Sequence, residues 1–424
     1  MSAMRGRRRR PSWPARRRDD EARAAAPARL SASVRTTHGT DSLRYEVELA
    51  APGTELDGAG FFIEVEGDRV PPPVDRHDFV VLALIFAAMR CGLDLHVEGR
   101  LSAALLANLE EFQRAWAAWY PQRYRRVRIS CDEELVSVAP PATRRAVLAY
   151  SGGVDSSCTL VEELTPSDRR DRHELVSAVL IHGFDVPLAE PEGFAATLAA
   201  ARSATAAVGV PLTVVRTDMR ENLSREWGDE FGAVVAASLS VFSPLAAAGI
   251  LGSDGDYTEL LIPWGSNLVT NPMLSSDVFR IETVCSALSR TERVRRIAAA
   301  HPAVAGSLRV CWGDKTPGRN CGHCEKCTRT KLSFVALGLP VPASLGAAPG
   351  FADIMAVKVV RRRRLHYYDE IGMAAARAHK APLHLRLAVR LMIWKNLLLL
   401  PFRGLRRVRR NIGRRLTGRP LLPR

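Results

Sequence analysis

The feature that most limits how this chain can fold is a short apolar run, Ala146-Val147-Leu148-Ala149-Tyr150. It passes without a break into Ser151-Gly152-Gly153-Val154-Asp155-Ser156-Ser157, and residues Asp155 to Leu164 then read as a helix. A buried strand that ends in Gly-Gly and opens a helix puts the turn at the carboxyl edge of an α/β sheet, where such sheets bind ligands. Gly152 and Gly153 remove side chains, so backbone N–H groups around Val154 can approach phosphate oxygens. The helix N-terminus adds free donors and partial positive charge, and Ser151, Ser156 and Ser157 add hydroxyls. Asp155 beside a polyphosphate would be repelled unless a cation lay between them, so it is expected to hold Mg²⁺. The string is not GxxxxGK[ST] and carries no Lys for a γ-phosphate.

Around this loop, residues 144–338 alternate strand and helix. Strands are expected at Leu175–Ile181, Leu212–Val215 and from Gly249, and helices at Gly193–Val208 and Phe231–Ala248. That alternation predicts βαβ crossovers and a parallel sheet with helices on both faces. Upstream, residues 34–143 read as a small N-terminal α+β domain. Its expected strands are Tyr45–Leu49, Phe61–Val65 and Arg126–Ile129, its helices Phe79–Cys91 and Ser102–Tyr120, and Pro140-Pro141 marks its end. Residues 1–32, rich in Arg, Ala and Pro, read as a disordered arm. Residues 339–424 read as a helical basic extension.

The second chemical signal is Cys311-x9-Cys321-Gly-His-Cys324-Glu-Lys-Cys327. Four thiolates at these gaps can close a tetrahedron around a structural Zn²⁺, with His323 as a substitute ligand. A [4Fe–4S] cluster is the competing occupant of the same spacing. Cys91, Cys131, Cys158 and Cys285 are scattered and read as small apolar residues or inert thiols.

The string SGGVDS resembles the SGGxDS signature of the PP-loop, or N-type ATP pyrophosphatase, superfamily. With Cys…CxxCxxC some 150 residues later, the chain looks like the 7-cyano-7-deazaguanine synthase branch over about residues 144–338. The resemblance implies an adenine nucleotide alpha hydrolase-like PP-loop domain and a ligase that splits ATP to AMP and pyrophosphate. Such an enzyme adenylates a carboxylate substrate and passes it to ammonia or an amine. It also implies that the nucleoside end of ATP lies near Ile181, His182, Gly183 and Phe184, with Gly183 admitting the adenine plane. The segments Pro263–Asn267 and Asp277–Glu282, where substrate should sit, match no deazaguanine-binding motif, so the substrate itself does not carry over.

Adenylation chemistry needs cations for the carboxylate and for the charge on the α-phosphate. Arg280 and Lys315 are the expected catalytic cations, with Arg329 a third candidate. Trp264 and Trp312 are possible stacking platforms, and Asp254 and Asp256 possible substrate or metal contacts. Of the formal net charge of +15, the basicity lies in two arms. Ten Arg stand in residues 1–30, and eleven Arg with Lys395 in residues 385–424, while the body is slightly acidic. Leu385–Leu400 is an apolar helix with interspersed bases. It is expected either to lie on an anionic membrane surface or to dock on the body, and the arms offer phosphate contacts to nucleic acid. With no secretory signal and no 18-residue apolar run, a cytoplasmic location is expected. Two other functions fit parts of the sequence: a PP-loop RNA-thiolating enzyme with an iron–sulfur cluster, and a zinc-containing nucleic-acid-binding module.

Overall fold

The computed structural model describes residues 29–137, 143–166, 169–258, 260, 262–311, 318–359, 362–378 and 382–416. For 362–363, 378 and 400–416 it describes the backbone alone. The chain is an α/β protein built on one ten-stranded, mostly parallel sheet. The strands are β1 (Arg29–His38), β2 (Ser42–Ala50), β3 (Gly60–Gly67), β4 (Asp94–Ser102), β5 (Ile129–Leu135), β6 (Arg145–Ala149), β7 (Glu174–His182), β8 (Leu212–Thr217), β9 (Ala248–Gly252) and β10 (Arg280–Val284). The helices are α1 (Asp78–Cys91), α2 (Ala103–Trp119), α3 (Val154–Leu164), α4 (Pro191–Ala206), α5 (Met219–Asn222), α6 (Trp227–Ser240), α7 (Arg290–Ala300), α8 (Pro302–Gly306), α9 (Glu325–Ala336), α10 (Phe351–Ala356), α11 (His366–Ala378) and α12 (Leu383–Leu416). No helix among the described residues is long and apolar enough to cross a membrane.

Spatial strand order is β10-β9-β6-β7-β8-β3-β2-β1-β4-β5. The parallel half, β8-β7-β6-β9-β10, is laid outward from β6 in one direction through β7 and β8. The chain then crosses back to place β9 on the other side of β6. Strand order therefore reverses between β6 and β9, the position at whose carboxyl ends open α/β sheets bind ligands. In β6 and β7, both faces are apolar because both are covered. Ala146, Leu148, Ala178 and Leu180 belong to the core that includes α3, α4, α7 and α9, while Val147 and Val179 belong to the core that includes α1, α2 and α6.

The N-terminal segment has the expected α+β character but does not stand apart from the rest. Its β3 pairs antiparallel with β8, from Ile63↔Thr217 to Gly67↔Thr213, so the two halves share one sheet. Residues of both also share one core, and a buried Arg90–Glu230 ion pair (2.9 Å) joins α1 to α6. Helices cover only one face of β1–β3. In β2, Leu43, Tyr45, Val47 and Leu49 point inward, while Arg44, Glu46 and Glu48 alternate outward. The fully two-sided cover expected from the crossovers is thus confined to the parallel half.

Several boundaries move. Residues 29–32, expected in the disordered arm, begin β1, which pairs with both β2 and β4; residues 1–28 and Pro140-Pro141 lie outside the described residues. The strand expected at Arg126–Ile129 starts instead at Ile129 and runs through the acidic stretch to Leu135, where parallel pairing with β4 overrides composition.

At the amino edge of the parallel half, His173 is buried between Glu163 and Glu282, at 3.4 and 3.2 Å. Burial opposes its charged form, but the two carboxylates outweigh burial and hold it up at about 9. A value raised above the ordinary 6.5 contributes stability that is complete below about pH 6.5 and fades as the pH rises through 9. His173→Gln should therefore cost about 3 kcal/mol at neutral pH, because Glu163 is left as a buried anion with less compensation. Urea melts at pH 7 and pH 10 check this: the gap from wild type should shrink at the higher pH, and a pH-independent gap would refute it.

Candidate active site

The Ser151–Ser157 loop stands at the carboxyl end of β6, where strand order reverses. Gly152 has φ +72°, a left-handed conformation that favours glycine. Its carbonyl accepts from the backbone N–H of Arg309 at 2.8 Å. The Ser151 and Ser156 hydroxyls lie 3.3 Å apart across the turn, and the Ser151 Oγ accepts from the Gly153 N–H at 3.3 Å. No side chain caps α3 at Gly153, so its first-turn N–H groups, from Val154 onward, have no side-chain acceptor there. The side chains of Val154 and Ser157 are buried, the latter's hydroxyl against the Tyr150 OH at 3.4 Å, so these two residues offer the site backbone rather than side chain.

Asp155 does not stand open for Mg²⁺. Its oxygens take Arg290 Nη1 at 2.9 and 3.1 Å and Arg293 Nη1 at 2.6 Å. Burial pushes its carboxyl up, but these guanidinium groups outweigh burial and hold it down at about 2. In this arrangement the carboxylate is neutralised by two cations of α7. Among the described residues, the only grouping of three or more ligands close enough to share an ion is the cysteine quartet.

Arg293 is the organiser of this edge, and sequence reasoning missed it. It is 1% exposed, and besides Asp155 it donates to the carbonyls of Ser253, of Gly255 (3.0 Å) and of Cys285 (3.2 Å). One guanidinium thus ties together the segments that follow β6, β9 and β10. Cys285, at φ +69°, is the one non-glycine residue among those described with a left-handed backbone, and its carbonyl is one of those Arg293 holds. The only sequence signal was the i, i+3 spacing of Arg290 and Arg293 on a charged helix. Nothing in that spacing says which face turns toward Asp155.

Further cations gather here. Buried Arg309 adjoins Gly152 and pairs with Asp185 at 3.3 Å. Lys326, on the first turn of α9, feels the charges of Asp155 and Asp254; burial and the neighbouring Arg290 and Arg329 pull its ammonium down to about 7. Arg329 is itself held by the Tyr367 ring (4.4 Å) and Glu325 (3.6 Å). Asp254 accepts from Trp264 Nε1 at 2.7 Å, and burial and the charge of Asp155 push its carboxyl up. Beside it, a small crevice is lined by Ser253, Asp254, Asp256, Ser266, Asn267 and Thr283.

Other expected residues lie elsewhere. Arg280 sits at the amino end of β10, opposite Ala248, roughly 13 Å from the strand's carboxyl end, and pairs with Glu282 at 2.8 Å. It is a sheet-edge ion pair and not a site cation. His182 is buried, stacked on Phe194 at 3.8 Å, with Nε2 3.1 Å from the Pro187 carbonyl. Gly183 is required by the chain itself: a Cβ there would lie 1.7 Å from the Thr217 carbonyl oxygen. Phe184 packs against Trp227, and Ile181 is a partly buried core residue. This stretch closes the packing of β7 on β8. Asp256 accepts from the neighbouring Thr258. Lys315 and Trp312 lie outside the described residues.

The four cysteines converge. Their Sγ atoms all lie within 4.8 Å of one another, with Cys311–Cys324 at 3.7 Å and Cys321–Cys327 at 4.0 Å. Four sulfurs about 2.3 Å from one tetrahedral ion would stand about 3.8 Å apart, so the donor set fits a single Zn²⁺. A cubane, with each thiolate on a different iron, needs them spread wider. Cys324 also caps α9, its sulfur accepting from the Cys327 N–H, so the quartet fixes the helix that carries Lys326 and Arg329. His323 is exposed and turned back on the Cys321 carbonyl at 2.8 Å.

Compared with known protein families, curated proteins and solved structures, the chain finds no match.

Proposed function

We propose that this protein is an ATP-dependent, AMP- and pyrophosphate-forming ligase of the PP-loop type. It would adenylate a carboxylate substrate and transfer the acyl group to ammonia or an amine. The observation that carries this reading is the loop 151–157 at the point where strand order reverses, with Arg290, Arg293, Arg309 and Lys326 gathered at the same edge. In the proposed reaction a carboxylate oxygen attacks the α-phosphorus, the bond to the bridging oxygen breaks, and pyrophosphate leaves with its charge on that oxygen. The first-turn N–H groups of α3, with Ser151 and Ser156, are suited to receive that charge, as preorganised donors aimed where charge develops. The amine then displaces AMP from the acyl adenylate. Mg²⁺ arriving with ATP would screen the triphosphate, but Asp155 is already engaged and no step is assigned to it.

The tight sulfur spacing speaks against the iron–sulfur thiolation reading. A purely nucleic-acid-binding role gives no reason for the converging loop and arginines.

The test is carboxylate-dependent exchange of labelled pyrophosphate into ATP, with the nucleotide products separated. AMP and pyrophosphate are expected; ADP with orthophosphate would overturn the proposal.

A further inference from the structure

The final helix has two apolar faces, and the protein covers one of them. α12 buries Leu385, Ala388, Val389 and Met392 against α10 and α11. Asn396, also buried, donates to the Val357 carbonyl (3.1 Å) and accepts from the Val359 N–H (2.9 Å), which fixes the rotation of the helix. The opposite face carries Leu383, Leu387, Leu391, Trp394 and Leu398, whose exposures are 66, 49, 51, 65 and 68%. Steps of four, four, three and four residues keep these side chains on one stripe, about 22 Å long. Leu405 and Ile412 continue the seven-residue step from Leu391 and Leu398 in the sequence.

The charge around the stripe is one-sided. From Leu383 to Arg424 the chain has twelve Lys and Arg and no Asp or Glu. Arg390 is exposed on one flank of the stripe and Arg386 is half-buried beside it. A helix apolar on both faces is ordinarily buried on both, so the free stripe calls for a cover. Nucleic acid offers phosphates but no surface to shed water from leucines. A second copy of the helix would cover the leucines but bring like charges together with no acid to pair them. An anionic bilayer supplies both missing partners: acyl chains for the stripe and phosphates for the arginines, whose stems can reach up to the headgroups.

We propose that α12 is an interfacial membrane anchor that lies in the plane of an anionic lipid surface, with Leu387, Leu391 and Trp394 turned into the acyl region. The anchor lies on the bilayer without spanning it, and the inference does not depend on the reaction proposed above.

The test is sedimentation of the full chain with vesicles of phosphatidylcholine alone or mixed with phosphatidylglycerol. Wild type should bind the anionic vesicles and should bind neutral ones about tenfold more weakly. Leu387→Gln/Leu391→Gln leaves net charge unchanged and should weaken binding to anionic vesicles about tenfold. Its melting temperature should be unaltered, since both side chains already face water. Equal binding by wild type and variant would overturn the proposal, because charge alone would then explain it. So would a dimer that the double variant dissociates without any vesicle binding, which would assign the stripe to a second copy. Binding of single-stranded RNA with no binding to vesicles would overturn it too.

Discussion

Asp155→Asn should abolish ATP turnover and lower the unfolding free energy by about 3–5 kcal/mol, the usual cost of stripping one partner from a buried ion pair. The stability loss follows from Arg293, which is 1% exposed and whose only anionic partner among its hydrogen-bonding contacts is Asp155. With an amide in place of the carboxylate, a buried cation remains with carbonyls alone, and the loops after β9 and β10 lose their tie to α3. Because the Asp155 carboxyl is held down at about 2, it stays ionised at any working pH, and the defect should be the same from pH 6 to pH 9. A second variant separates the two effects. Asp155→Asn/Arg293→Met removes the carboxylate and its more deeply buried partner, leaving only Arg290, and should recover part of the stability, since apolar replacements of a buried pair are often neutral or better. It should recover no turnover. Denaturant melts and the exchange assay read the two quantities independently. A fully active Asp155→Asn enzyme would show that the tie from Asp155 through Arg293 to the loops after β9 and β10 is not needed to position the site.

Loss of the thiolate cage has the second large expected effect. Cys324→Ser should release about one equivalent of zinc per chain and cost several kcal/mol, because binding at a structural zinc site is folding free energy. The damage should spread to activity. The sulfur of Cys324 caps α9, and the first two turns of that helix carry Lys326 and Arg329. Treating wild type with a strong chelator should reproduce the variant's melting temperature, and restoring zinc should reverse the change in wild type alone. Elemental analysis and thermal melts decide the matter. Unchanged metal content and stability in the variant would show that the quartet holds no ion, and iron with visible absorption would establish the cluster instead.

What could be read from the sequence was local. The run into Ser151-Gly152-Gly153, the cysteine spacing, β2, β3, α1 and the alternation from β6 to β9 all announce themselves, because each depends on neighbours a few residues apart. Pairing partners announce nothing. β1 hides at the end of an Arg-rich stretch and forms because β2 and β4 offer it two edges. β10 is five residues long and exists because β9 has a free side.

The site divides along the same line. Sequence by itself determined that a Ser-Gly-Gly loop opens a helix at a strand end and that four thiols stand at ligand spacing. Only the tertiary structure decided that Arg290 and Arg293, more than 130 residues from Asp155, neutralise it. It also decided that Arg280 lies at the wrong end of its strand, that Gly183 serves the close approach of β8, and that α12 keeps an apolar face in water. The physical reason is common to all four. Charge pairing, strand register and helix rotation depend on distances through space between segments remote in the chain, and periodicity along one segment carries no record of what will pack across from it.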